Sequence, residues 1–204
     1  MDFFLLLTLA FTGLYLANQK QQRQRIALLA QHLRPYQIEQ LMESLTQGYL
    51  RAMGEADAER RQQVLDMLCI SERQLAEQFE RLAGDFARLP EAQARVSRLP
   101  MGLPFALQLF PAASFDMRQL LRLHADGIAR VAHNDAGLPP RDKAYRMTAE
   151  ILLMQHSCHW FCKSLAVASA RVLARHQTSH AQLVSAVSPQ TRSAYLALTG
   201  IRLP

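Results

Sequence analysis

The sequence predicts an all-α chain, and three observations carry that prediction. No segment sustains period-two alternation, and no Asn-Gly or Asp-Gly hairpin turn joins two strand-like runs. Apolar residues recur instead at helical spacing between helix start and stop signals. The expected architecture is an irregular bundle of about six or seven helices behind an N-terminal transmembrane or hydrophobic helix. At 204 residues, half of them hydrophobic and only 20% charged, the chain can bury a core without disulfides or metal. Eight Gly and nine Pro exclude collagen-like and low-complexity classes.

The first expected helix begins in Phe3–Ala17, FFLLLTLAFTGLYLA, fifteen residues without a charge. It continues as a polar neck, QKQQRQRIALLAQ, to the Arg34-Pro35 stop. At ~1.5 Å per residue the apolar run covers roughly 22 Å, against a hydrocarbon core of ~30 Å. Met1, Asp2 and Asn18 extend it, and Lys20 and Arg23 have the reach to snorkel. A signal peptide would have a positive N-terminal region and a small-x-small cleavage site, where this chain has Asp2 and no such site. A core helix is the other reading of this length. The anchor reading is preferred, with Phe3, Phe4, Leu5, Leu6, Leu7, Leu9, Phe11, Leu14, Tyr15 and Leu16 as membrane residues. Lys20, Arg23 and Arg25 on one flank and Asp2 on the other put the N-terminus outside and the body in the cytoplasm.

A second helix is expected from Pro35 to Met53, with Tyr36, Ile38, Leu41, Met42, Leu45, Tyr49 and Leu50 on one face. A third carries Val64, Leu65, Leu68 and Cys69. Ser71 with Gln74 reads as a capping box opening a fourth, with Leu75, Phe79, Leu82, Phe86 and Leu89 spaced as a short a/d seam. Residues 99–113 then break the pattern: prolines and a glycine punctuate an apolar stretch holding Leu103, Phe105, Leu107 and Phe110, which must be buried, meet a membrane or dock a partner. Ser114 is expected to cap a helix reaching Ala136. A long helix follows over 140–176, and Ser188-Pro189 and Gly200 bracket the last one. The organisation expected is therefore an anchor (1–18), a neck (19–34), an N-terminal helical part (35–98), the connector (99–113) and a basic C-terminal part (114–204).

The net charge of +6 is uneven. Residues 1–117 balance at −1 and residues 118–204 at +7, with no carboxylate side chain after Glu150, and 20 of the 23 basic residues are Arg. Such a half can face anionic lipid, nucleic acid or an acidic partner, with Arg171 and Arg175 on a basic helix end. Nucleic acid is not the expected partner. The break at 177–179 fits a helix-turn-helix poorly, and no aromatic residues interleave with the basic ones. The Arg-rich, Lys-poor composition points to a bacterial source.

Chemistry-bearing residues concentrate in Met154–Lys163, MQHSCHWFCK. On a helix Cys158, His159 and Cys162 share an arc of ~100°, with His156 at its edge. Thiolate and imidazole suit zinc or copper, and haem is a further ligand. The competing reading is core, since Leu152, Leu153, Trp160, Phe161 and Leu165 surround them. Three cysteines are an odd number, which fits a reducing compartment. No nucleophile, phosphate-loop or paired-carboxylate motif stands out. The expected role is therefore a non-catalytic, single-pass scaffold, assembly factor or accessory subunit of an inner-membrane complex. One alternative is a metal-, haem- or redox-responsive module using the Cys158/His159/Cys162 cluster. The other is a soluble, basic nucleic-acid binder with residues 3–17 in its core.

Overall fold

The computed structural model describes residues 2–202. Met1, in the expected anchor, and Leu203 and Pro204, in the expected C-terminal part, lie outside the described residues. In chain order the elements are α1 (Asp2–Leu33), α2 (Ile38–Gly54), α3 (Ala58–Phe86), single-turn α4 (Glu91–Ala94), β1 (Arg95–Ser97), single-turn α5 (Ala106–Leu109), β2 (Ser114–Asp116), α6 (Met117–His133), α7 (Pro140–Cys162), α8 (Leu165–His176), α9 (His180–Ala186) and α10 (Pro189–Thr199). The fold is all-α, with ten helices among the described residues rather than six or seven. Two single turns, a split helix and an unexpected α9 add four, and one merger removes one.

The first departure is α3, one helix where two were expected. Asp57 caps it by accepting the Glu59 and Arg60 amides at 2.9 and 3.0 Å, and Leu65, Leu75, Phe79, Leu82 and Phe86 bury along one face. With that stripe continuous, Ser71 opens nothing. The second is the break in the expected 140–176 helix at Lys163–Ser164. There Ser164 leaves the helical region and its hydroxyl accepts the Val167 amide, starting α8. Ser179 and Gln182 then form a full capping box for α9, a helix the sequence reading passed over. Ser114 does not cap α6. It pairs in a short antiparallel ladder, Arg95 opposite Asp116 and Ser97 opposite Ser114, and Asp116 takes the cap by accepting the Arg118 amide at 2.8 Å. Leu50, expected inward, is exposed.

One apolar core runs through the body from Leu29 to Tyr195, with Leu45, Leu75, Phe79, Phe86, Met117, Leu121, Met147, Trp160 and Phe161 buried in it. Phe115 of β2 stacks edge-on against Trp160 at 4.8 Å between centroids, and the indole N–H donates to the Ser97 carbonyl at 3.0 Å. The ladder thus closes the connector's two ends onto α7. Four ionisable groups pin the helices behind that core. Tyr49 (α2) donates to Glu72 (α3) at 2.5 Å, and Lys143 (α7) forms a buried ion pair with the same carboxylate. Glu150 of α7 accepts the amide and hydroxyl of Ser188 at 3.0 and 2.7 Å, holding the start of α10. Gly127 of α6 is required beside it, because a Cβ there would stand 2.6 Å from the Thr191 hydroxyl and 2.7 Å from Glu150 Oε2.

The N-terminal helix meets the body only through its second half. Leu29 is buried, whereas Phe3 to Leu16 stand clear of the body. The core-helix reading of residues 3–17 is therefore not what the fold contains. Equally, no helix among the described residues is long and apolar enough to cross a membrane. What fastens the neck is Arg25. Its two terminal nitrogens donate to the carbonyls of Phe161 and Arg95, each at 3.0 Å, and its guanidinium stands 5.4 Å from the centre of the Phe161 ring. The Phe161 carbonyl lies in the last turn of α7, where no helical amide reaches it. Lys163 adds a 2.8 Å bond to Gln22.

Removing the guanidinium strands both carbonyls, at a cost of about 1.5–3 kcal/mol for each charge-assisted bond. Arg25→Ala is expected to lower stability by roughly 2–4 kcal/mol and the thermal midpoint by about 5–10 °C. Arg25→Lys should recover only part of this, because an ammonium cannot fork to two acceptors. Calorimetry of the three proteins is the check, and an unchanged Arg25→Ala midpoint would contradict it.

Candidate functional site

The α7 segment singled out by sequence has two unlike faces. On one, Met154, Cys158, His159 and Cys162 line a groove of about 500 Å³ shared with Ile26 and Leu29 of α1 and Met42 of α2. On the other, His156, Ser157, Trp160 and Phe161 are buried in the core. The structure brings three of the four predicted ligands together and sends His156 elsewhere. Its ring stacks on His180 of α9, centroids 4.0 Å apart, and its Nε2 lies 3.0 Å from the Ser169 hydroxyl. Arg171 and Arg175, exposed on α8, lie beside the cluster and act on His159 through their charge.

The electrostatics of the groove follow from desolvation. Burial pushes the Cys158 thiol up to about 12, with the neighbouring Cys162 adding to the shift. Burial also raises Cys162 to about 11 against the opposing charges of Arg25, Lys163 and Arg171. His159 is lowered by burial and then by the two arginines. Thiols and imidazole are therefore neutral near pH 7. Cys158 Sγ contacts Met154 Sδ at 3.8 Å, a soft, apolar contact. Among the described residues, no three His, Cys, Asp or Glu side chains gather as a metal-binding group. The cluster lines the seam between α1, α2 and α7.

Sequence reasoning missed a second polar cluster, spread over α6, α7, α9 and α10. His124 Nε2 lies 2.8 Å from the Ser157 hydroxyl, which donates its own proton to the Leu153 carbonyl at 3.0 Å. His180 Nε2 lies 3.0 Å from the Tyr195 hydroxyl. Ser157 and His124 are adjacent, and the Ser157 hydroxyl is also held by the Leu153 carbonyl of its own helix. His124, Ser157 and Tyr195 have no exposed surface at all. Burial holds His124 down to about 3, His156 to about 2 and His180 to about 4, and it raises Tyr195. The sequence did carry a signal for these groups: His124 sits in phase with Leu120, Leu121 and Ile128, on the apolar face of its helix.

Protein-family models, curated proteins and solved structures were compared with the chain, and none matches it.

The remaining candidates divide by exposure. Of the connector residues, Leu103, Phe105 and Phe110 are exposed, with Met101 and Leu109 beside them, whereas Leu107 is half-buried against the neck. Much of the C-terminal basic charge is consumed internally. Arg118 pairs with Asp116, Arg122 with Asp126 and Glu80, Lys143 with Glu72, and Arg146 donates to the Val187 carbonyl. The largest apolar surface is α1 itself. Its ten large apolar side chains from Phe3 to Leu16 are 52–74% exposed, on every side of the helix.

Two outcomes follow from the buried titratable groups. His124, His156 and His180 stay neutral in the folded chain until pH falls to about 4 or below, while in the unfolded chain they protonate near pH 6.5. Their contribution is therefore complete above pH 6.5 and is lost as pH falls towards the folded values. Glu150, raised by burial, runs the other way and offsets at most one proton. Stability should fall by roughly 3 kcal/mol per pH unit between about pH 6 and 5, read from urea midpoints. A flat profile would refute the network's neutrality. Separately, Cys158 and Cys162 should resist iodoacetamide at pH 8 in the native state and react once urea unfolds the chain, because the thiolate is the nucleophile. Rapid native labelling at either site would contradict the protonated, desolvated groove.

Proposed function

We propose that this protein is a membrane-tethered, non-catalytic helical scaffold or accessory subunit, held to a bacterial inner membrane by residues 3–17 with its body on the cytoplasmic side. The observation that carries the reading is the apolar, fully exposed circumference of the first half of α1. An apolar stripe on one face would suit a groove in a partner, whereas apolar side chains on every face suit a surround of acyl chains. The polar atoms in the run support it. Thr8 and Thr12 donate to the carbonyls of Phe4 and Thr8, each at 2.8 Å, and the Tyr15 hydroxyl accepts from Gln19 at 2.6 Å. Each of these three side chains thus has a partner on the helix itself, as a lipid environment demands.

Fifteen apolar residues fall short of a relaxed bilayer, so the segment relies on local thinning or on flanking residues that snorkel. Arg25 is committed to the body, so orientation rests on Lys20 and Arg23, both exposed on the neck. The non-catalytic part of the reading rests on the fully buried Ser157–His124 pair and on the neutral thiols of the groove.

The full-length protein is expected to stay in the membrane pellet through an alkaline carbonate wash. Leu9→Arg, at the middle of the run, should move it toward the soluble fraction, since a central Arg costs about 2.5–3.5 kcal/mol on insertion. Release of the parent protein by the wash would refute the anchor.

A further inference from the structure

The connector is seated on α1 at a particular height. Gly102 lies against one turn of the neck, where an added Cβ would meet Gln22 Nε2 at 3.5 Å, Asn18 Oδ1 at 3.7 Å and the Lys163 carbonyl at 3.1 Å. The gap enclosed between the neck, the connector and the end of α7 is only about 30 Å³, so this seating is close. Asn18 and Gln22 are one and five residues past Ala17, the last apolar residue before the polar neck. Along a helix that is about 1.5 to 7.5 Å. The polar layer on each side of a ~30 Å hydrocarbon core is itself only about 5–7 Å deep. A bilayer that takes up residues 3–17 therefore has its headgroup layer at the level of the connector.

Beside Gly102 the connector exposes Met101, Leu103 and Phe105, and farther along, next to the stretch that lines the neck near Gln21 to Arg25, it exposes Leu109 and Phe110; the five are 47–68% exposed. Phe105 is held at φ +61°, a conformation costly for a bulky residue. Val167, exposed in the first turn of α8, joins them, because the Ala166 amide is bonded to the Pro100 carbonyl at the start of the connector. The unpaired charge at this end has one sign. Lys20 and Arg23 are exposed on the neck without a carboxylate partner among the described residues, and the one carboxylate lining the neck–connector cleft, Glu91, is paired with Arg95 at 2.6 Å. Apolar side chains beside uncompensated cations are the composition of a surface that lies in the interface of an anionic bilayer.

From this arrangement we infer that the connector is a second membrane-contacting element: Met101, Phe105, Leu109 and Phe110 insert at headgroup depth beside α1, among anionic lipids drawn by Lys20 and Arg23. The inference rests on the anchor reading. It adds that the body does not swing on a tether. With α1 fixed to the body through Arg25 and the connector seated in the interface, the bundle holds one orientation against the membrane. The short apolar run gains hydrophobic contact from a neighbouring element at the same depth.

The test uses full-length protein reconstituted in vesicles of zwitterionic and anionic phospholipid, with lipids brominated either near the headgroup or deep in the acyl chain. Trp160 is the only tryptophan and is buried, so its signal is subtracted using the parent protein. Phe110→Trp and, as a second position, Leu109→Trp report the connector, and Phe11→Trp reports the anchor. The expected result is a blue-shifted emission at Phe110→Trp and Leu109→Trp, lost with the shallow bromines more than with the deep ones. Phe11→Trp should be quenched more by the deep bromines. Quenching at Phe11→Trp with water-like, unquenched emission at both connector positions would overturn the inference and leave the anchor standing. A blue shift at the connector without quenching by either lipid would also overturn it, since protein, such as a second copy of the chain, would then cover the patch. No quenching at any of the three positions would remove the anchor reading as well.

Discussion

One guanidinium decides how the apolar first helix is presented. A helix of mixed character, apolar for half its length and polar for the rest, has no intrinsic reason to dock on a bundle at its polar end. Arg25 supplies one by offering two donors, 3.0 Å from each of two carbonyls, where the end of α7 leaves an acceptor without a helical amide. The break at Lys163–Ser164 creates that need, and the ladder that brings Arg95 beside it gives the second acceptor. With the neck fixed there, the first half of α1 has to leave the body. The connector, clipped at both ends by the ladder, comes to rest against its exit.

The body's buried polar groups tie its helices to one another. Glu72 takes Tyr49 from one helix and Lys143 from another, so α2, α3 and α7 share a buried junction. Glu150 sits on the start of α10, where a carboxylate complements the helix N-terminus. The histidines stack and bond among α6, α7, α8, α9 and α10. Breaking one member of such a network leaves a buried charge or an unpaired polar atom, which costs more than the bond contributed. That asymmetry penalises misaligned packing of short helices. It matters here because α8, α9 and α10 are pieces of 7 to 12 residues, too short to be stable as isolated helices.

Much of this was legible before any coordinates. The helical class, the exposed apolar start, the α2 face from Ile38 to Tyr49, and the Ser188–Gly200 brackets of α10 are all local signals, and local signals survive packing. The Cys158/His159/Cys162 arc was read correctly as one face of one helix, because three residues within five positions are placed by helix geometry alone. His156 was misplaced by that same reading: an angle on a wheel says which side a residue is on, not which neighbour waits there, and the neighbour was His180 from a helix that had not been recognised. The missed break at Ser164 has the same origin. Nothing between Trp160 and Leu165 forbids a helix, and the chain turns because the neck and the connector bond to its ends.

The sequence by itself determined what depends on spacing and composition: an all-α body, an uncharged run about 22 Å long, a connector too apolar to be an ordinary loop, and an excess of basic charge toward the C-terminus. The tertiary structure decided which of these features face outward. It gave Arg118, Arg122 and Lys143 carboxylate partners and committed the guanidinium groups of Arg25 and Arg146 to backbone carbonyls. It buried the thiols deeply enough to keep them protonated, and it set the connector level with the end of the apolar run. The physical reason for the division is range. Periodicity and capping act within a few residues and are written in order along the chain, whereas pairing and burial join residues 70 to 136 positions apart, as Arg25 does. Those contacts exist only once the helices have packed.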